Sequence, residues 1–246
     1  MIHLLENGKG IKCPKAEVFI EAKIYASYLS YGSGYPFLTF WQGKEGNKIT
    51  SAICKFEDTI FLSVGKDADF SELSQFLSVI GFSHLQAEAD TLKALGLLDF
   101  NEYVVLKSEK RNGCRTLFEI NEKPPLKEVY GILFGKKEEN IALVDFEGWY
   151  ADLSHRIRHG TAASFTLEGK AAAILSHITE KTAVLSGIAT LPSQRRKGYA
   201  SSLLGSLEDN FTDKNIFTAT DEKTAEFYIK NGFSRVQSIG IYKAGV

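Results

Sequence analysis

Gly187-Ile188-Ala189-Thr190-Leu191-Pro192-Ser193-Gln194-Arg195-Arg196-Lys197-Gly198-Tyr199-Ala200-Ser201 decides how this chain is read. It has the form of a strand, a sharp turn and a helix start. The strand covers 182–190 and carries Val184, Leu185 and Ile188. Pro192 stops it, because proline has no amide hydrogen to give to a ladder. A helix follows over about 197–210, with Ala200, Leu203, Leu204, Leu207 and Phe211 at the three-and-four spacing of one buried face. Charge runs the wrong way for that helix. Arg195, Arg196 and Lys197 crowd its positive end, and Glu208 and Asp209 lie near its negative end. Each misplaced charge costs about 0.3–1 kcal/mol. A bound phosphate reverses the sign, since free amides at a helix start bind anions and flanking cations neutralise them. Gly198 has no β-carbon, so a ligand oxygen can approach the main chain.

The bland reading of Arg195-x-x-Gly198-x-Ala200 is a solvated basic turn. Context argues for more. A second signature, Phe227-Tyr228-Ile229-Lys230-Asn231-Gly232-Phe233, follows about thirty residues later. Together the two resemble the GNAT superfamily of acyl-CoA-dependent N-acyltransferases, specifically over 175–233. The resemblance implies an α+β fold on a mixed sheet, acetyl-CoA as co-substrate and no metal. It implies that the strand before the turn splays from its parallel neighbour. Main-chain groups of Ile188, Ala189 and Thr190 would then meet the pantetheine arm. The amides from Arg196 to Ser201 would hold the pyrophosphate, which gives a cofactor-binding set of Ile188, Ala189, Thr190, Arg195, Arg196, Lys197, Gly198, Tyr199, Ala200 and Ser201. Tyr228 takes the tyrosine position of the Tyr-x-x-x-Gly-Phe element, implying a general acid for the leaving thiolate. The implied reaction is direct attack of a primary amine, on a small molecule or peptide, upon the thioester.

Two departures from the pattern stand out. The strand over 182–190 has no carboxylate, so the base is open among a water relay, Asp145, Glu147, His159 and His177. Asp221 stands where many members have asparagine; it suits a helix cap but would repel phosphate. For the acceptor, Phe146, Trp149 and Tyr150 offer aromatic surface, and Arg156 and Arg158 offer charge for a carboxylate.

Composition bounds the rest. The chain has 246 residues, 44% hydrophobic and 24% charged, with a net charge of −1. That is a soluble globular composition with no overall field for nucleic acid or an anionic membrane. Cys13, Cys54 and Cys114 are far apart and odd in number, which reads as reduced thiols in a cytoplasmic protein. His155 and His159 are four apart without a third ligand, so no metal site is expected. The first residues lack a signal-peptide core, and no apolar run approaches the roughly 20 residues that span a bilayer. The oligomer expected is a monomer or homodimer.

Along the chain, a strand is expected over 2–5, a helix starting near Pro14, strands over 37–42, 49–56 and 59–64, a helix over 71–80 and strands over 82–87 and 103–107 with a short helix over 90–95 between. The second half repeats the order: a strand over 116–120, helices to about 134 and over 145–158, strands over 162–167, 170–177 and 182–190, then the turn, its helix, a strand over 215–220, a helix over 221–230 and last strands over 233–243. Ala52-Ile53-Cys54-Lys55-Phe56 echoes Ala173-Ile174-Leu175-Ser176-His177. The expectation is two GNAT-like domains in tandem, a degenerate one over 1–112 and the transferase domain over 113–246, the alternative being an unrelated α+β N-terminal domain. Where the second half has its basic turn, the first has Val64-Gly65-Lys66-Asp67-Ala68-Asp69-Phe70, whose aspartates would repel an anion. Two other functions fit the motif: a non-catalytic acyl-CoA-binding or regulatory protein of the same fold, and a nucleotide-phosphate module. A P-loop does not fit, for lack of Gly-Lys-Ser/Thr.

Overall fold

The computed structural model describes residues 1–6, 8–109, 120–135 and 145–245. Cys114, most of the expected 108–113 turn and most of the 116–120 strand lie outside the described residues. The first half runs β1 (Ile2–Leu4), α1 (Phe19–Tyr31), β2 (Leu38–Glu45), β3 (Lys48–Phe56), β4 (Thr59–Val64), α2 (Phe70–Ile80), β5 (His84–Glu88), α3 (Ala89–Ala94) and β6 (Phe100–Ser108). The second runs β7 (Ile120–Asn121), α4 (Leu126–Phe134), α5 (Phe146–Arg158), β8 (Ala163–Leu167), β9 (Ala171–Ile178), β10 (Thr182–Thr190), α6 (Tyr199–Asn210), β11 (Asn215–Thr220), α7 (Glu222–Lys230) and β12 (Phe233–Lys243). The expected mixed α/β fold, with its order of elements given twice, is the one observed.

Two boundaries differ from expectation. α1 begins at Phe19, not near Pro14. The stretch before it is tied down irregularly: the Cys13 amide donates to the Tyr25 hydroxyl at 3.0 Å, and Gln42 Nε2 donates to the Lys12 carbonyl at 2.7 Å. Those bonds hold the backbone out of a helix. α6 begins at Tyr199, which leaves Lys197 and Gly198 in the turn.

The residues form two compact units. One comprises 1–106 with 219–225 and 235–246; the other comprises 107–218 with 226–234. In the first, the strands lie in the order β1-β2-β3-β4-β5-β12. The last strand of the chain thus completes the first unit's sheet. It pairs antiparallel with β5, from Ile239 opposite Glu88 to Lys243 opposite His84. Gly240 is required there, because a β-carbon would lie 2.4 Å from Leu92 and 2.6 Å from Phe100. A fragment of residues 113–246 keeps β12 but loses both its neighbours, β5 and β6, and buried Ile239 then faces water on an unpaired strand. Such a fragment is expected to elute as aggregate on size-exclusion chromatography and to melt without a cooperative transition. A monomeric, sharply melting fragment would refute this.

In the second unit the order is β11-β10-β9-β8-β7. β8, β9 and β10 are antiparallel neighbours, and β10 and β11 are parallel. Val129, Ile132 and Leu153 from α4 and α5 pack on Ala172 and Ile174 of β9. Ala171, Ala173 and Leu175 alternate with these and are also buried, so they face the other side, where α6 lies. α6 buries Leu203, Leu204 and Leu207 at 0%, 2% and 1% exposure. Truncating any one to alanine costs on the order of 2–5 kcal/mol. This packing fixes the start of α6 against the end of β10, which is where the basic turn sits.

Candidate active site

The site is a fork in the second unit's sheet. β10 pairs with β11 through only three residues, Thr182 with Asn215, Ala183 with Ile216 and Val184 with Phe217. Beyond Val184 it continues against β9 alone, as far as Thr190 opposite Ala171. Register shifts at Val184/Leu185 and Leu185/Gly187 mark the bend; bulges of this kind turn a strand away from its neighbour. Burial changes at the same place. Thr182 to Leu185 are buried, whereas Ser186 to Thr190 are partly or fully exposed. One backbone edge of Ile188, Ala189 and Thr190 is therefore open on the β11 side.

The turn beyond the fork has an enforced shape. Residues Pro192–Gln194 form a single 3₁₀ turn. Arg196 then has φ +62° and Gly198 φ +87°. The left-handed region costs a residue with a β-carbon about 1–2 kcal/mol, and strain held at such a position marks an enforced backbone shape. Gly198 caps α6 without a side chain. A β-carbon there would meet no atom within 4 Å. Glycine is thus required by the positive φ of the backbone, and close approach of a ligand is an added advantage. Among the described residues, the amides of Arg196, Lys197, Gly198, Ala200 and Ser201 donate to no protein acceptor. They lie at the helix start, where no carbonyl of the preceding turn is in place.

Around this cradle the side chains divide. Arg195 Nε donates to the Thr190 carbonyl at 3.4 Å, and Lys197 Nζ to Gln194 Oε1 at 3.0 Å. Arg195, Arg196 and Lys197 are all exposed. The Tyr199 side chain is buried and turned the other way: Lys170 Nζ donates to its hydroxyl at 2.9 Å and to Glu168 Oε2 at 2.6 Å. The Glu168 carboxylate, and then the Tyr199 hydroxyl, push the Lys170 pKa up. Tyr199 thus anchors α6 to the β8–β9 turn, and only its main chain faces the cradle.

Tyr228 lies on α7 with its ring against Phe227 and Phe233, at 5.2 and 5.4 Å between centroids. It is 6% exposed. Burial pushes its pKa above the ordinary phenol value. The phenol therefore keeps its proton at neutral pH. Thr218, on β11, gives its own hydroxyl proton to the Leu185 carbonyl at 3.0 Å. Asp221 caps α7, accepting from the Thr224 amide at 2.9 Å and the Thr224 hydroxyl at 2.8 Å. Both its oxygens are committed, and those bonds hold its carboxyl below the usual range.

The first unit shows what an unavailable version of this site looks like. β4 also leaves its parallel neighbour after three pairs, Thr59 with His84, Ile60 with Leu85 and Phe61 with Gln86. Here α1 fills the gap. Ser63 donates to the buried Glu21 carboxylate at 2.6 Å, Lys23 to Gln86 at 2.8 Å, and Lys15 pairs with Glu88 at 2.6 Å. The helix start is filled as well. Asp69 accepts from the Ser71 and Glu72 amides at 2.9 and 3.0 Å. The first half thus carries its own anion where the second leaves room for one.

Other expected residues fall as follows. Phe146, Trp149 and Tyr150 join Tyr130 and Phe134 in an aromatic cluster on α4 and α5. Arg156 is buried and paired with Asp152 at 2.8 Å, so the carboxylate it meets is internal. The base candidates are partly committed: Asp145 caps α5 through the Gly148 amide at 2.6 Å, and His159 Nδ1 lies 2.9 Å from the His155 carbonyl. His177 Nδ1 lies 2.7 Å from the Ser176 hydroxyl. Cys54 is a buried core residue. Among the described residues no three His, Cys, Asp or Glu side chains group as a metal site, and no helix is long and apolar enough to cross a membrane.

The family model described as the acetyltransferase (GNAT) family matches residues 110–233. The chain belongs to the GNAT family. Acyl transfer from an acyl-CoA is the chemistry this membership supports, with acetyltransferase as the class. No curated protein matches by sequence. Solved GNAT structures share the fold over nearly the whole chain. An acetyltransferase of the family from Colwellia psychrerythraea superposes with a TM-score of 0.54 at 13% identity, covering 99% of this chain and 100% of that one. A tandem GNAT protein of the clavulanic acid biosynthesis pathway gives 0.57 at 12% identity, covering 95% and 91%. The tandem of GNAT-like halves expected from the sequence echo is the architecture found.

Proposed function

We propose that this GNAT chain transfers an acetyl group from acetyl-CoA to a primary amine by direct attack on the thioester. The observation that carries the reading is the juxtaposition of an open strand fork with an unfilled, basic helix start. The pantetheine arm lies along Ile188, Ala189 and Thr190. The pyrophosphate sits on the amides of Arg196 to Ser201, with Arg195, Arg196 and Lys197 supplying counter-charge. Charge-assisted hydrogen bonds of this kind contribute on the order of 1.5–3 kcal/mol each. The catalytic domain is the 113–246 portion, and the 1–112 portion binds no acyl-CoA.

The neutral amine attacks the carbonyl carbon, and a backbone amide of the splayed strand stabilises the oxyanion. The C–S bond then breaks. A thiol ordinarily titrates near ~8.5 and a phenol near ~10. Tyr228, pushed higher still by burial, therefore serves first as a hydrogen-bond donor to the departing thiolate. It delivers its proton as the amine's proton returns through water. β10 bears no carboxylate, so we assign that return to a water relay.

The test is coenzyme A release from acetyl-CoA across an amine panel, followed over pH. Turnover is expected to rise with pH as the amine loses its proton. No falling limb from Tyr228 is expected below about pH 10, because its pKa is raised and activity needs it protonated. A descending limb near neutrality would overturn the assignment. Binding without turnover on any amine would favour a non-catalytic acyl-CoA-binding protein. Preference for nucleotides over coenzyme A would favour a phosphate module.

A further inference from the structure

We propose that Gly187 and Leu133 set the length of the acyl group this site accepts, by leaving beside β10 a space one methyl deep. The inference rests on the acyl-CoA reading of the fork argued above and takes it further, to what the acyl pocket admits. With the pyrophosphate at the turn and the pantetheine arm along Thr190, Ala189 and Ile188, the thioester end comes next to Gly187. There the strand bends, at the register shift between Leu185 and Gly187. Cross-strand partners share a face of the sheet. Gly187 lies opposite Ile174 and Ala189 opposite Ala172, and both partners belong to the core under α4 and α5. The side-chain position of Gly187 therefore points to that side. Ile188 and Thr190, opposite Ala173 and Ala171, face α6.

Leu133, on α4, roofs the position. A β-carbon placed on Gly187 would lie 3.6 and 3.9 Å from the two methyl carbons of Leu133. Chain neighbours aside, no other atom of the described residues comes within 4 Å of it. Carbon atoms attract best at about 3.5–4.0 Å. The space thus takes one carbon in good contact, and a second along the same line strikes Leu133. Gly187 and Leu133 are both partly exposed, so a ligand at the open strand edge reaches the space. The φ of Gly187 lies outside the left-handed region, so the backbone does not demand glycine there. What the position offers is the missing side chain. An acetyl methyl fits it, whereas a butyryl chain carries two more carbons and meets Leu133.

The first unit shows the same position filled. Each unit closes the end of its strand with one bond, the Gly65 amide to the Thr50 carbonyl at 2.8 Å and the Leu191 amide to the Lys170 carbonyl at 2.9 Å. Counting four residues back from the donor gives Phe61 in β4 and Gly187 in β10. The cross-strand partners agree: Phe61 lies opposite Cys54 and Gly187 opposite Ile174, each four residues beyond the acceptor. Where the second half has a hole, the first has a ring, with Lys23 Nζ 4.9 Å from its centroid. The half whose helix start Asp69 already fills thus blocks this place too.

The experiment measures acetyl-, propionyl- and butyryl-CoA with the parent, Gly187→Ala, Leu133→Ala and the double variant. The readouts are turnover on one amine and calorimetric affinity, with each protein checked by thermal melting. The parent should prefer acetyl-CoA to butyryl-CoA by at least about tenfold in kcat/KM, as methylenes do in an apolar pocket. Gly187→Ala puts its own methyl into the space. It should lose at least about tenfold in kcat/KM for acetyl-CoA, with affinity for unacylated coenzyme A within about threefold of the parent. Leu133→Ala should raise the butyryl-to-acetyl ratio at least about tenfold. In the double variant, Leu133→Ala should recover at least about fivefold of the acetyl-CoA turnover lost to Gly187→Ala, the coupling expected of residues that share one space. If Leu133→Ala melts below the assay temperature, Leu133→Val replaces it, with the shift expected toward propionyl-CoA. Equal use of acetyl- and butyryl-CoA by the parent, full acetyl-CoA turnover by Gly187→Ala, an unchanged ratio in Leu133→Ala, or independent losses in the double variant would each overturn the proposal. Should the parent bind acyl-CoA without turning it over, the affinities carry the same comparison. Should it bind no acyl-CoA, the cofactor reading itself fails, and the two failures are told apart.

Discussion

Tyr228→Phe should turn over acetyl-CoA about 10²–10⁴-fold more slowly than the parent, with its melting temperature nearly unchanged and its affinity for coenzyme A preserved. The ring is held by Phe227 and Phe233, and phenylalanine keeps those contacts. Only the hydroxyl is lost. Thr218 keeps its bond to Leu185, so the fork does not collapse. The loss therefore falls on the step in which the thiolate leaves. The check is steady-state release of coenzyme A with a fast amine, paired with calorimetry of coenzyme A binding. A variant with parental kcat would remove Tyr228 from the mechanism.

Gly198→Asp should weaken coenzyme A binding by at least about 100-fold, whereas Gly198→Asn should stay within about tenfold of the parent. Asparagine and aspartate tolerate the left-handed region better than other residues with a β-carbon, and the site has space for the side chain. The two variants thus share the backbone penalty and differ in charge. The aspartate carries into the cradle what Asp69 supplies in the first half, an anion of the protein's own beside the helix-start amides. Placing like charges together costs several kcal/mol, and about 1.4 kcal/mol is a tenfold change in affinity. Calorimetry should also find a single site per chain in the parent, since the α2 start is already filled. Equal affinities for the two variants would mean that phosphate does not sit at this turn.

Much of this was legible because local chemistry decides it. The spacing of Leu203, Leu204 and Leu207 gave α6, and the misplaced cations with Gly198 pointed to the anion site. The aspartates of the 64–70 stretch read as repelling an anion, and the structure adds that Asp69 takes two helix-start amides for itself. Other features are fixed by contacts between distant residues. A threonine in Ile216-Phe217-Thr218-Ala219-Thr220 reads as a β-former, and nothing local says that its hydroxyl donates to the Leu185 carbonyl. Pro14 suits a helix start by itself, but the Tyr25 hydroxyl claims the Cys13 amide. Arg156 carries a local signal of its own: Asp152 is four residues earlier on the same helix face, and it holds the guanidinium. The Tyr199 side chain belongs to the same class, since its partners Glu168 and Lys170 are about thirty positions away.

The place of β12 also bears on how the molecule is made. β5 is synthesised early, and its partner, with Ile239 opposite Glu88, emerges only after the whole second half has been translated. At about 5–20 residues per second, that delay is on the order of ten seconds or more. Throughout it, the nascent first half carries an incomplete sheet margin, the kind of surface that chaperones cover. The first unit's sheet therefore closes only after the second half has been made.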